Sequence, residues 1–199
     1  MSTNHSSRSN GLLIVIVGPM YATKSQTTRS VYDRYCVFRR QGVWIKPDTD
    51  NRCEGKTVTH DNRIIANADI TVSAENPEVV LPDLIPYDVI VFDEAQFFSE
   101  KIVSVVKFLL SKGKIVIVNG LKLTAGDSIF GSMHYLLAFA DEIISLKAVC
   151  NLCNRVDSAT RTRAFDKNNP TIKVGGARDY YVVCPECDTY EKENNQSKV

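Results

Sequence analysis

The chain has 199 residues, which is enough for one globular domain with a full hydrophobic core and a small appended unit, but not for two large domains. Its 24 Lys and Arg residues nearly balance its 23 Asp and Glu residues, so it lacks the basic excess of a protein that binds nucleic acid phosphates. We therefore expect small ligands and no nucleic-acid partner, and no membrane partner either, because no apolar run is long enough to cross a bilayer.

Alternating apolar and amphipathic segments predict an α/β fold. Residues 1–10 and 191–199 are polar and lack periodicity, so both are expected to be disordered tails. Between them lie continuous β-branched runs of the kind found in buried parallel strands, together with amphipathic segments of helical length. The predicted strands are LLIVIV (12–17), VWIK (43–46), VIVF (89–92), IVIV (115–118) and EIISL (142–146), and the predicted helices are 24–40, 99–112 and 132–139.

The first apolar run and the cysteine-rich end set the predicted domain limits. The run that begins at residue 11 has only the minimum length of a signal-peptide core and continues directly into a loop motif, which favours a buried first strand. After residue 147 the alternation of strand and helix stops, and two cysteine pairs bracket an Arg- and Thr-rich stretch. We therefore predict an α/β domain over 11–147 and a small domain over 148–190.

A phosphate-loop motif follows the first strand, with one position changed. Gly18, Lys24 and Ser25 have the spacing of G-x-x-x-x-G-K-[ST], but Thr23 replaces the second glycine. Such a loop surrounds phosphate with backbone N–H groups and a helix N-terminus, while its lysine contacts the terminal phosphates and its hydroxyl meets Mg²⁺. A threonine costs about 1–2 kcal/mol there if φ must be positive. The alternative interpretation is an ordinary strand-to-helix turn with a solvated lysine.

Two acidic residues end the strand VIVF. In a parallel α/β sheet, ligands gather at the carboxyl ends of the strands, so Asp93 and Glu94 are expected to face the phosphate loop. We expect Asp93 to support a magnesium shell and Glu94 to take a proton from a substrate hydroxyl. The alternative is that both acids cap the helix that follows, because carboxylates favour helix N-termini.

Four of the six cysteines form two C-x-x-C pairs, CNLC (150–153) and CPEC (184–187). Four thiolates satisfy tetrahedral zinc, and a closed shell of this kind is structural because no position remains for water. The alternatives are a redox pair of the thioredoxin type or unrelated buried thiols. A zinc deaminase would need an H-x-E motif, which none of the three histidines provides.

The motifs in chain order resemble one known family. They are GPMYATKS (18–25), DNR (50–52), THD (59–61), DEAQFF (93–98), LKAVCNLC (146–153), Thr160, GGARDYY (175–181) and CPEC (184–187). Over residues 12–188 the chain resembles the type II thymidine kinases, the tetrameric, zinc-containing kind found in animals, bacteria and large DNA viruses. Their joint order is far more specific than any single motif.

The resemblance implies a P-loop NTPase-like parallel sheet, flanked by helices, with a small C-terminal zinc-bound lasso domain. It implies transfer of the γ-phosphate of ATP to the 5′-hydroxyl of thymidine or deoxyuridine, with Mg²⁺ and structural Zn²⁺, in a cytoplasmic homotetramer. Glu94 matches the catalytic base. The implied ATP-site residues are Gly18, Met20, Lys24, Ser25, Asp93 and Gln96, the implied substrate residues are Met20, Arg52, Phe97, Phe98, Leu121, Thr160, Val174, Gly175 and Tyr180, and the implied zinc ligands are Cys150, Cys153, Cys184 and Cys187.

Three positions depart from the family pattern. Besides Thr23, the segment 120–131 lacks the aromatic and the arginine that members usually carry, where Ala125 and Gly126 or Asp127 stand. Loss of an aromatic wall removes roughly 1–3 kcal/mol of stacking on a base, and loss of the arginine slows a transfer that depends on charge stabilisation. An active kinase of reduced activity is therefore one hypothesis, and a non-catalytic relative with a degenerate phosphate loop and base pocket is the alternative. A zinc-ribbon nucleic-acid module is disfavoured by the balanced charge.

Overall fold

The computed structural model describes residues 11–37, 40–50, 56–58, 64–166, 175 and 178–196, and the statements below concern these residues. Within them the chain forms ten strands and five α-helices, with short 3₁₀ turns at Pro77–Val80 and Ala95–Phe97. The elements are β1 (Leu12–Val17), α1 (Lys24–Cys36), β2 (Gly42–Pro47), β3 (Lys56–Val58), β4 (Ile64–Asn67), β5 (Ile70–Val72), α2 (Leu81–Leu84), β6 (Val89–Phe92), α3 (Lys101–Ser111), β7 (Ile115–Gly120), α4 (Met133–Phe139), β8 (Glu142–Ser145), β9 (Arg161–Ala164), β10 (Tyr180–Val183) and α5 (Pro185–Gln196).

Six strands form one parallel sheet in the order β5-β2-β6-β7-β1-β8. All five β-branched runs identified in the sequence are strands of this sheet, which confirms the predicted α/β class. The central strands are buried on both faces, as their continuous apolar sequences require. The sixth strand, β5, was not predicted because its three residues are too few to establish a periodicity.

Helices cover both faces of the sheet. Alternate residues of β1 point to opposite faces, so Leu13 and Val15 join one core cluster and Ile14 and Ile16 join the other. On the first face α3 packs through Ile102, Val105, Val106 and Leu109, the helical spacing that predicted this helix. Burial of one such side chain stabilises the folded state by roughly 1.5–3 kcal/mol relative to leaving it exposed. Gly113, with φ of 74°, ends the helical segment as expected.

The region after β8 has its own small sheet and core. Strands β9 and β10 pair antiparallel and pack with Ala148, Ala159 and the cysteines. Met20 and Ala22 of the phosphate loop belong to the same cluster, so this region rests directly on the loop. We call residues 148–190 the cysteine segment. Helix α5 continues from it into the predicted tail as far as Gln196, and Glu186 and Asp188 in its first turn favour the helix.

The described helices include none that is both long enough and apolar enough to cross a bilayer.

Candidate active site

The site lies at the carboxyl edge of the sheet. Strands β6, β7 and β1 are neighbours and run parallel, so the segments that follow them lie side by side. These segments carry Asp93 and Glu94 after β6, Leu121 after β7, and Gly18 at the start of the phosphate loop after β1. The sheet order therefore brings together residues that are up to about 100 positions apart in the sequence, as the strand-end argument predicted.

The phosphate loop, residues 18–25, leads into α1. Lys24 is the first residue of this helix and Ser25 lies in its first turn, so the N–H groups there point to the loop. The Lys24 ammonium donates to the carbonyl oxygen of Pro19 at 2.8 Å, so the lysine lies across the loop. Thr23 has φ of 55° and ψ of 25°, and Tyr21 has φ of 63°.

Thr23, which stands in place of the second glycine, introduces backbone strain into the phosphate loop. Thr23 occupies the left-handed region where the family has glycine, at a cost of about 1–2 kcal/mol for a residue with a Cβ. Its side chain makes no capping bond to α1 that would offset the cost. The strain is a property of the folded chain, so it lowers folding stability rather than the affinity for a phosphate.

Asp93 and Glu94 are held by separate hydrogen bonds. The buried Asp93 carboxylate accepts from Trp44 Nε1 at 3.2 Å and from the Glu94 N–H at 3.0 Å. Glu94 has φ of 50° and its carboxylate accepts from Gln96 Nε2 at 2.6 Å. Although Glu94 is the residue before the 3₁₀ turn, its side chain makes no capping bond, which argues against the capping interpretation.

Gln96 links Glu94 to the segment after β7. Its Nε2 donates to Glu94, and its Oε1 accepts from the Leu121 N–H at 3.0 Å. Phe97 packs edge-to-face on Phe130, with ring centroids 5.5 Å apart. Four of the predicted site residues, Glu94, Gln96, Phe97 and Leu121, therefore lie together on one side of the site. Phe98 does not join them, because it is buried and packs on Phe92 in the core, 6.0 Å between centroids.

The cysteine segment closes the site from the other side. The Met20 N–H donates to Thr162 Oγ1 at 3.0 Å, and the Tyr21 hydroxyl donates to the Tyr180 carbonyl at 3.1 Å. Thr162 was missed by the sequence reasoning, which selected Thr160. The Thr160 hydroxyl instead accepts from Arg161 at 3.4 Å. A threonine two residues along a strand lies on the same face, so the sequence TRT could not distinguish the two.

Gly175 lies against Tyr180, since a Cβ at Gly175 would be 2.7 Å from Tyr180 Cε2. Both residues were predicted to bind substrate, and the structure brings them together. Two further predicted residues, Arg52 and Val174, lie outside the described residues, as does the THD motif at 59–61.

The four paired cysteines form one cluster. Their sulfur atoms all lie within 4.8 Å of one another, and Cys153 Sγ is 3.9 Å from Cys184 Sγ. Tetrahedral zinc with Zn–S bonds of about 2.3 Å requires sulfur–sulfur distances of about 3.8 Å, so the cluster fits this ion. All four thiols are free, which argues against a disulfide in the redox interpretation. The cluster is therefore a site that could hold a metal such as zinc.

The backbone around Cys150 prepares it as a ligand. Burial alone would raise the pKa of the Cys150 thiol, but N–H donors of Cys153, Cys184 and Leu152 outweigh burial and lower it to about 6. The Cys184 N–H lies 3.4 Å from Cys150 Sγ. A thiolate is the form that binds a metal, so these donors favour the liganding state.

Comparisons with known proteins agree with this geometry. A sequence model of a family described as "TK: Thymidine kinase" matches residues 11–188. A thymidine kinase of Pseudothermotoga lettingae is 33% identical over 178 residues, which cover 89% of this chain and 94% of the relative. A thymidine kinase of Coprothermobacter proteolyticus is 34% identical over 179 residues, 88% of this chain and 89% of the relative. A thymidine kinase of Pyrobaculum aerophilum is 33% identical over 180 residues, 87% of this chain and 96% of the relative.

Proposed function

Because the chain belongs to the thymidine kinase family, we propose that it transfers the γ-phosphate of ATP to the 5′-hydroxyl of thymidine or deoxyuridine. In this reaction the 5′-oxygen forms a bond to the γ-phosphorus, and the bond between that phosphorus and the β,γ-bridging oxygen breaks. The hydroxyl proton passes to a base, and ADP leaves. Family membership over nearly the whole chain does not favour the alternative of a non-catalytic relative.

The observation that carries the proposal is the position of Glu94. Glu94 follows the end of β6, at the same carboxyl edge of the sheet as the phosphate loop, and its carboxylate accepts from Gln96 Nε2 at 2.6 Å. A base must be held within hydrogen-bond reach of the proton it removes, and the bond from Gln96 fixes the position of this carboxylate. We therefore assign Glu94 as the base and Gln96 as the residue that orients it.

The triphosphate is proposed to lie in the phosphate loop. The N–H groups at the start of α1 attract its negative charge, and Lys24 leaves the Pro19 carbonyl to contact the terminal phosphates. The Ser25 hydroxyl and the buried Asp93 carboxylate would hold Mg²⁺, which neutralises charge on the transferring phosphate.

The base of the nucleoside is proposed to lie between the phosphate loop and the cysteine segment. Met20, Thr162 and Tyr180 meet there. Zn²⁺ in the four-cysteine cluster would hold β9 and β10 in place and thereby lower the ordering cost of this wall. Paired free thiols of this kind are typical of a reducing compartment, which supports a cytoplasmic location.

The decisive experiment is Glu94→Gln, which keeps the side-chain length but removes the base. We expect kcat to fall about 10²- to 10⁴-fold, the usual contribution of a positioned base. Binding of ATP and thymidine, measured by calorimetry, stays close to wild type. The matched control is Glu100→Gln, an exposed acid before α3 that should leave kcat unchanged. Retention of more than about a tenth of the wild-type kcat by Glu94→Gln would contradict the proposal.

A further inference from the structure

One buried guanidinium joins the cysteine segment to the segment that follows β7. Arg163, on β9, donates from Nε and Nη2 to the two carboxylate oxygens of Asp188, each at 2.6 Å. The same side chain donates from Nη2 to Asp127 Oδ2 and from Nη1 to the Ala125 carbonyl, each at 2.8 Å. Arg163 is only 9% exposed, so these charge-assisted bonds form largely out of water.

The two acidic partners belong to different parts of the molecule. Asp188 follows the last cysteine of the cluster, on α5. Asp127 and Ala125 lie in residues 121–131, which we call the wall loop. Arg161 adds a second, longer ion pair to Asp127, with 3.6 Å between Nε and Oδ1. The side chain of Arg163 therefore joins the residue that follows the four-cysteine cluster to the wall loop.

The wall loop is attached to the proposed catalytic centre at both of its ends. Its first residue, Leu121, donates to Gln96, which holds Glu94. Near its other end, Phe130 packs on Phe97. Within the loop, Thr124 and Ser128 exchange backbone and side-chain hydrogen bonds that form a turn. The turn carries Asp127 in the left-handed region, with φ of 65°, and so presents its carboxylate to Arg163.

We propose that Arg163 is a positioning residue that holds the wall loop over the thymidine site through Asp127 and Ala125. This inference rests on the proposed kinase function. It also explains the departures from the family pattern at 125–127. The loop lacks the family's aromatic and arginine side chains, and the carboxylate of Asp127 instead binds the loop to Arg163 on β9. The loop position then depends on the cysteine segment as well as on the sheet.

The test uses Asp127→Asn in the full chain. Asparagine tolerates the left-handed backbone as well as aspartate does and keeps one acceptor oxygen, so the substitution removes the charge without adding strain. We expect amide hydrogen exchange in the wall loop to become about three- to tenfold faster, as expected for a partly exposed charge-assisted bond. The KM for thymidine rises by a similar factor, while kcat and the KM for ATP stay within about twofold of wild type.

The matched control is Arg155→Ala, which removes an exposed ion pair with Glu186 in the same segment. It should change neither exchange in the wall loop nor the KM for thymidine. As a second test of the pair, Asp127→Asn should have a smaller effect in an Arg163→Gln background, where only the longer ion pair with Arg161 remains to be lost. If the Arg163→Gln variant does not bind zinc, the double variant is not interpreted, and the single variant Asp127→Asn tests whether Arg163 holds the wall loop.

The outcomes are distinguishable. Unchanged exchange in the wall loop of Asp127→Asn overturns the proposed bridge, and faster exchange with an unchanged KM overturns its role in substrate positioning. If the wild-type chain phosphorylates no thymidine, the proposed function fails, and hydrogen exchange still decides whether Arg163 holds the loop.

Discussion

Six of the described residues with a Cβ adopt left-handed backbone, and three of them lie in the phosphate loop or directly after β6. These three are Tyr21, Thr23 and Glu94, with φ of 63°, 55° and 50°. Such conformations persist only where neighbouring contacts enforce them. The Tyr21 hydroxyl is bonded to Tyr180, and the Glu94 N–H and carboxylate are bonded to Asp93 and Gln96. Half of the left-handed residues therefore lie at the proposed active site, where these hydrogen bonds hold Tyr21 and Glu94 in place.

Thr23→Gly tests where that strain acts. Glycine relieves about 1–2 kcal/mol of strain but adds freedom to the unfolded chain, so we expect the free energy of unfolding to rise by about 0.5–1 kcal/mol. The Kd for ATP stays within about threefold, because the folded chain already holds the loop in shape. Denaturant unfolding and calorimetry measure the two quantities. Thr23→Ala, which keeps the Cβ, is the control and should not raise the free energy of unfolding. Tenfold tighter ATP binding by Thr23→Gly would contradict the claim that the strain lowers folding stability and not ATP affinity.

The sequence predicted the site residues that strand order alone determines. Asp93, Glu94 and Lys24 follow strands whose apolar runs are unmistakable, so the parallel-sheet rule places them together. Thr162 and Arg163 were missed because their partners, Met20 and Asp127, lie 142 and 36 positions away and are chosen by side-chain packing. Phe98 was selected by motif, but local periodicity could not show that its ring points into the core.

Helices and strands were predictable from the sequence where their apolar runs or helical spacing were long and unbroken. The five longer sheet strands and the helix α3 have unbroken apolar or helical spacing, and all were identified. Helix α1 begins at Lys24, as expected, but ends at Cys36 rather than near 40. Strands β3, β4 and β9 are three or four residues long and are formed by pairing with a partner, so the sequence carries little signal for them.

The small sheet β9–β10 is expected to depend on the metal. Cys153→Ser should reduce bound zinc from about one ion per chain to nearly none, because a structural site needs all four ligands. Hydrogen exchange in β9 and β10 then becomes faster, while the six-stranded sheet keeps its protection, since its core clusters contain no cysteine ligand.

Cys36→Ser is the matched control for this experiment, because Cys36 lies on α1 and is no member of the four-cysteine cluster. It should keep the full zinc content. Equal protection of β9 and β10 with and without the metal would contradict a structural role for the cluster.

At the scale of the whole molecule, an apolar face remains exposed at one edge of the large sheet. Strand β8 is the edge strand, and Ile143 on it is 52% exposed. Tyr135 and Phe139 on the preceding helix α4 are also exposed. Exposed large apolar side chains are typical of surfaces that contact another chain where they form a contiguous patch. We propose that this face contacts another copy of the chain in the homotetramer that the family resemblance implies.

We expect light scattering to give a mass of about four times the 22.2 kDa of one chain. Ile143→Glu should lower the mass to that of a smaller species, because a charge would be buried between copies. Val156→Glu, at an exposed aliphatic residue of the cysteine segment, is the control and keeps the wild-type mass. A wild-type mass of one chain would exclude the tetramer.

Two consecutive residues of the phosphate loop are bonded to the small sheet, Met20 through its N–H to Thr162 on β9 and Tyr21 through its hydroxyl to the Tyr180 carbonyl on β10. If the chain acts as proposed, these two bonds set the position of the phosphate loop relative to the surface that faces the nucleoside. A substitution in β9 or β10 that accommodates a different nucleobase would therefore also shift the phosphate loop and with it the phosphate.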